Sequence, residues 1–346
     1  MDTLRELLGI QLPIVQAPMA GVQDSRLALA VSNAGALGSL PCAMLTVEAL
    51  RKELTAIRAG TAKPFNVNFF CHVTPAVSAQ REAMWRAALA PYYAELGIEM
   101  NMAPPHPART AFNEEMADVL EEFKPPVVSF HFGLPSAQVL GRIKAWGARI
   151  FSSATTVEEA RWLEAKGVDA IIAQGLEAGG HRGMFLSEDL TTQVGAFALL
   201  PQVVRAVRVP VIAAGGTADS TGVAAAMRLG AAGVQVGTAY LLCPEATTSV
   251  VHRAALKSDA ARHTALTNLF SGRPARGIVN RIMRELGPLS AVAPEFPLAA
   301  AAIAPLRAAA ESRNSADFSP LWSGQNASGC RESPAADLTR QLVVGL

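Results

Sequence analysis

The sequence predicts an α/β protein: a (β/α)8 TIM barrel with a helical insertion after the third strand and a smaller C-terminal helical domain. Three observations carry this. Eight short runs rich in Val, Ile and Phe recur before Pro244, each bounded by Gly or Pro. Most are apolar throughout, as parallel strands covered by helices on the outside must be. Amphipathic helix patterns separate them, which is the alternation of a barrel. The rival, a doubly wound open sheet, usually carries a GxGxxG turn after its first strand, and none is present there.

In chain order the strand candidates are LPIVQAPMA, AGALGSLP, PFNVNFF, PVVSFHFG, ARIFSSAT, VDAIIAQG, VPVIAAGG and GVQVGTAYL. The clearest helix is TTVEEARWLEAKG, where Thr156 and Glu159 fit a capping box and Gly167 fits the stop. DSTGVAAAMRLG repeats the design, with Asp219 or Ser220 as cap and Gly230 as stop. PSAQVLGRIKAWG is a third. Residues 71–125 are too long for one crossover and predict two helices joined by the Pro-rich NMAPPHPART over the barrel mouth. The expected organisation is a barrel over 1–244 carrying that insertion, then a helical cap over 245–310. Residues 311–346 are expected to return to the barrel and end in a tail. No strand is expected beyond Pro244.

Half of the 346 residues are hydrophobic and 17% are charged, enough to build a large core. Thirty basic and 29 acidic residues leave a formal charge of +1, so there is no basic field for nucleic acid or a membrane surface. The start, MDTLRELLGI, lacks the pattern of a targeting segment, and no run is long enough to span a membrane. Four scattered cysteines form no CxxC pair, which argues against zinc and disulfides and for a cytoplasmic setting.

In such barrels the chemistry sits at the C-terminal ends of the strands. Those ends offer Gln16, Ala17, Pro18 and Met19; Asn66 and Asn68; His131; Ser152, Ser153 and Thr155; Gln174; Gly215 and Gly216; Gln235, Gly237 and Thr238. The paired turns AAGGT and VGT expose backbone N–H groups where barrels usually hold phosphate, and tight turning alone is the plainer alternative. Asn68, Gln174 and Gln235 offer amides to a polar heterocycle. One phosphate and such a ring fit flavin mononucleotide (FMN). The stretch IIAQGLEAGGHRG then places Gly179 and Gly180 where a flat ring can approach and His181 above it. An imidazole near pKa ~6.5 suits proton transfer at neutral pH. His131 lies within a strand, so it is either a substrate contact or a hydrogen-bonded structural group. Arg273 and Arg276 in SGRPARG read equally as an anion clamp or as ties between cap and barrel. Trp322 reads as packing. No metal site is expected.

These stretches resemble the nitronate monooxygenases. The matches are PIVQAPMAG, AGALGSLP, FNVNFFCH, HFGLP, SSATTVEEA, AQGLEAGGHRG, AAGG, QVGTAYL, FSGRPARGIVNR and DFSPLWSGQ. They run from about residue 13 to 325, and look most like the class I members. The resemblance implies an FMN barrel that oxidises alkyl nitronates, such as propionate 3-nitronate, with O2 to a carbonyl compound and nitrite. It places the catalytic base on His181 and flavin contacts on Asn68, Gln174, Gly179, Gly216, Gln235, Val236, Gly237 and Thr238. The expected partners are a small nitronate and O2, with a homodimer left open. Two other readings remain: an FMN-dependent NAD(P)H reductase of quinones or enoyl thioesters, and a non-catalytic barrel that binds FMN or phosphate.

Overall fold

The computed structural model describes residues 4–100 and 109–346. The predicted Pro-rich connection therefore lies largely outside the described residues.

The first half contains α1 (Leu4–Leu8), β1 (Ile14–Gln16), α2 (Ser25–Asn33), β2 (Gly38–Pro41), α3 (Val47–Gly60) and β3 (Phe65–Phe70). It continues with α4 (Ala79–Leu96), α5 (Glu114–Phe123), β4 (Val127–His131), α6 (Ala137–Ala145), β5 (Arg149–Ala154) and α7 (Val157–Ala165). Next come β6 (Ala170–Gln174), a two-residue β7 (Gly180–His181), α8 (Ala196–Ala206), β8 (Val211–Ala214), α9 (Ser220–Arg228) and β9 (Gly233–Val236). The remainder holds α10 (Val250–Leu256), β10 (Thr264–Thr267), β11 (Ala275–Ile278), α11 (Arg281–Glu285), α12 (Ala299–Glu311) and α13 (Ala335–Gln341).

Eight parallel strands run in the order β1-β9-β8-β6-β5-β4-β3-β2. A parallel bridge between Val15 and Leu37 links β1 to the start of β2 and brings the two edges together. All eight predicted strands are present and form this barrel. The predicted caps act as the residue types require. Thr156 accepts from the Glu159 N–H, and Asp219 accepts from the Gly222 N–H.

Both helices predicted within 71–125 are present, and they pack in different places. Helix α5 buries Met116, Val119, Leu120 and Phe123 in the barrel's own core and serves as the third crossover. Helix α4 instead packs on α12. Trp85, Leu89, Tyr92 and Tyr93 share an apolar cluster with Ala299, Ile303, Leu306 and Phe318. The Trp85 indole N–H donates to Ala299 O at 3.2 Å, and the Tyr93 hydroxyl to Ala302 O at 2.6 Å. One expectation changes: strands do occur beyond Pro244. β10 pairs antiparallel with β11, and β11 pairs with β7. This small sheet holds His181 opposite Ala275. Four residues of half-buried Thr, Ala and Leu carry no strong period, so pairing rather than propensity makes β10 a strand.

Residues 322–326 pass back over the barrel. Gly324 N–H donates to Thr238 Oγ1, Gln325 N–H to Glu177 O, and the Asn326 side chain to Gly216 O. Helix α13 lies on α2, and Tyr240 bonds Thr339 beneath it at 2.9 Å. The four cysteines are unpaired. Among the described residues no helix is long and apolar enough to cross a membrane.

Candidate active site

One cavity opens at the C-terminal ends of the barrel strands and encloses about 1260 Å3, part of it open to solvent. Of the predicted site residues, Ala17, Pro18, Met19, Asn68, His131, Gln174, Gly179, Gly180, His181, Gly215, Gly216, Gln235, Gly237 and Thr238 all line it. Gln16 and Val236 do not. The Gln16 side-chain amide bonds Gln23 Oε1 at 2.8 Å and receives the Ser39 N–H at 3.0 Å, which ties β1 to β2. Val236 is buried within the barrel wall.

The glycines around His181 have separate causes. A Cβ on Gly179 would stand 2.6 Å from both Ser323 C and Gly324 N, so the returning chain requires its smallness. A Cβ on Gly180 would meet nothing within 4 Å, but its φ of 72° lies in the left-handed region. Gly180 thus turns the chain and leaves open space beside it. Arg182 is fully buried and anchors the turn. Its guanidinium donates to Gly175 O, Gln174 O and Gln193 Oε1 at 2.7–3.0 Å. Glu159, also buried, accepts from Thr155 N–H, Thr155 Oγ1–H, Phe185 N–H and Leu186 N–H. It pins the far side of the same loop.

His181 sits among Phe70, Phe132, Phe296 and Trp322, at ring-centre distances of 5.3–6.1 Å. Its Nε2 lies 2.9 Å from Ser271 Oγ. The Ser271 hydroxyl can turn toward Arg273 O at 3.4 Å and accept from Nε2–H. In that tautomer the Nδ1 lone pair is left without a protein partner. Burial, and then the positive field of Arg109, hold this imidazole's pKa well below its ordinary value. The His181 imidazole is therefore uncharged at neutral pH. Ser271, the hydrogen-bond partner of this ring, was not singled out from sequence. Its signal, a serine in an irregular loop, is too common to read.

His131 has both nitrogens engaged. Nδ1 lies 3.0 Å from Ser153 Oγ and Nε2 lies 3.1 Å from His181 O. Gln174 is similarly committed: Nε2 donates to His181 O and Oε1 receives Gly183 N–H. Both residues hold the His181 turn in place as well as lining the cavity. Asn68 donates to Ser129. Gln235 differs, because its Oε1 is buried with no hydrogen-bond partner. At the turns after β8 and β9, the N–H groups of Gly216, Thr217 and Thr238 find no acceptor among the described residues. The first turn of α9 is capped by Asp219, so any anion there would meet the loop N–H groups and not the helix end.

Arg273 and Arg276 do not line the cavity. Arg276 donates to Leu176 O and Thr264 Oγ1, and Arg273 stacks over Phe132 at 4.2 Å and donates to Met184 O. They tie the small sheet to the barrel. Trp322 is more than packing, since its ring forms part of the cavity wall beside His181. No Asp or Glu lines the cavity among the described residues.

A cavity at the top of a parallel barrel, lined by unpaired N–H groups at two turns and by a neutral histidine, defines an α/β-barrel enzyme acting on a small molecule. Within that class, the chain belongs to the nitronate monooxygenase family, a family of flavin-dependent oxidoreductases whose model matches residues 2–345. Two curated relatives are named nitronate monooxygenase. The one from Pseudomonas aeruginosa is 43% identical over 99% of this chain and 98% of its own. The one from Paraburkholderia phytofirmans is 44% identical over 98% of this chain and 93% of its own. Among solved structures, a nitroalkane oxidase from Streptomyces ansochromogenes is 40% identical and superposes with a TM-score of 0.89, covering 98% of this chain and 96% of its own.

Proposed function

We propose that this chain oxidises alkyl nitronates with O2 to a carbonyl compound and nitrite, using non-covalent FMN, and that His181 is its base toward neutral nitroalkanes. The observation that carries the reading is the free Nδ1 of His181 in a cavity that lacks carboxylates. Such a site favours an anion and has a base ready for a weak carbon acid.

The residues present fit FMN. The Gly216, Thr217 and Thr238 N–H groups are unpaired donors for one phosphate. The buried Gln235 Oε1 lacks the donor that a flavin ring N–H would provide. The redox chemistry, removal of electrons from the nitronate and their delivery to O2, is what FMN supplies when bound. The chain does the rest. His181 Nδ1 takes the α-proton of a neutral nitroalkane. Ser271 keeps that nitrogen unprotonated beforehand. His131 and Gln174 fix the carbonyl of His181 and so its backbone. Phe70, Phe132, Phe296 and Trp322 exclude water from the imidazole.

The test uses purified protein under anaerobic conditions. Propionate 3-nitronate is expected to bleach the flavin's visible band, and NADH is not. Bleaching by NADH alone would favour a reductase, and heat-released FAD would refute the choice of FMN.

A further inference from the structure

We propose that Arg109 is a substrate-binding residue whose guanidinium receives a planar two-oxygen anion, a nitronate or a carboxylate, on the His181 side of the cavity. The proposal rests on the nitronate-oxidising reading and assigns a specificity-determining residue to it.

The stretch before α5 is fixed at its far end. Phe112 N–H donates to Phe70 O at 2.8 Å, and the Phe112 ring lies 4.6 Å from Phe69 and 5.4 Å from Phe130. Asn113 caps α5 through the Met116 N–H. Three residues upstream of that anchor, Arg109 enters the cavity wall. Its guanidinium carbon lies 5.9 Å from the Phe296 ring centre, and the same ring is 5.3 Å from His181. The cation and the base thus flank one phenyl ring.

Among the described residues Arg109 forms no ion pair, and its Nε is buried without an acceptor. Residues 101–108, which precede it, contain no Asp or Glu. It is the one Arg or Lys among the described residues of the cavity lining, which has no carboxylate. The charged side chain that acts on it is another cation, Arg307, which repels it. His72, buried nearby against Phe296 at 4.8 Å, also has both ring nitrogens unpartnered. An enclosed guanidinium without an anion is costly, and one that faces a cavity is relieved by an anionic ligand. Its planar fork matches two oxygens on one carbon or nitrogen. Burial pushes its pKa down to about 10, which still leaves it charged at neutral pH.

The experiment compares wild type, Arg109→Lys and Arg109→Gln as flavin-loaded holoenzymes. Two nitronates are used: ethyl nitronate, with one anionic group, and propionate 3-nitronate, with two. Nitrate and propionate serve as non-reacting probes, their Kd read from perturbation of the flavin spectrum. Loss of charged hydrogen bonds predicts roughly 10- to 100-fold weaker binding in Arg109→Gln, seen in KM and in the probe Kd, with partial retention in Arg109→Lys. An equal KM rise for both nitronates, with weakened nitrate, assigns the nitronate group to Arg109. A rise for propionate 3-nitronate alone, with weakened propionate, assigns the carboxylate. Unchanged KM and probe Kd in Arg109→Gln overturn the proposal. The probe arm stands even if wild type oxidises neither nitronate, so failure of the functional reading is separable from failure of this one.

Discussion

His181 is decided by the two groups its ring can bond. Ser271 bonds Nε2, His181 lines the cavity, and in the tautomer with the proton on Nε2 the free nitrogen is Nδ1. Replacing His181 by Asn removes the basic nitrogen, and general base catalysis is typically worth ~10²–10⁴-fold. The expected loss in kcat/KM is of that size for a neutral nitroalkane. It should be much smaller for the preformed nitronate of the same compound, whose proton is already gone. Equal losses for the two ionisation states would make His181 a positioning group. Ser271→Ala tests the tautomer. Without the acceptor, the proton is free to move to Nδ1, so the neutral nitroalkane should lose roughly 10–100-fold, as for other lost orienting bonds. The nitronate should lose little, and flavin content should hold. A loss shared by both substrates would mean that Ser271 merely supports the loop.

At the scale of elements, the two glycine turns after β8 and β9 are the part that the sequence displayed most openly. They follow strands, contain paired small residues and precede helical turns. The structure adds why Gly216 resists change. Its φ of 76° is left-handed, and a Cβ would have room, with Glu177 Cβ the nearest atom at 3.6 Å. The constraint is therefore backbone conformation more than space, and forcing a side chain into it costs about 1–2 kcal/mol. Gly216→Val should shift the loop N–H groups and lower FMN occupancy while far-ultraviolet circular dichroism stays that of the wild type. Full occupancy in that variant would move the phosphate elsewhere. The β7–β10–β11 sheet was not legible. Its strands are two to four residues long, and its existence depends on pairing partners some 90 residues apart in the chain. Gly179 was legible as a required glycine but not for its reason, since Ser323 and Gly324 approach it from the other end of the sequence.

Across the whole molecule, two apolar cores meet around one cavity. The barrel core was readable because most strands are apolar on both faces and are bounded by Gly or Pro. The second core was not. It joins α4 to α12 through the bond from Trp85 to Ala299, 214 positions away, and α4 shows no distinct apolar stripe in its sequence while α12 is an alanine-rich run. Arg109 was invisible for a related reason, because its interest lies in a partner that is missing. That imbalance extends to the buried histidines and has a consequence for stability. His72, His131 and His252 are each pushed down to about 4, chiefly by burial. In the unfolded chain they titrate near ~6.5. Between those values the unfolded state binds more protons, so stability is full above ~6.5 and is lost as pH falls toward 4. Melting temperature should therefore drop steeply through that window. His72 isolates the effect because neither ring nitrogen has a partner to lose. His72→Leu removes a buried polar group that nothing satisfies, so stability at pH 7 should stay the same or rise. The variant should also lose less Tm than wild type between pH 6.5 and 4.5, its other acid-sensitive groups being unchanged. If the two curves run parallel, His72 is protonated equally in folded and unfolded chains, and water or a ligand must reach it.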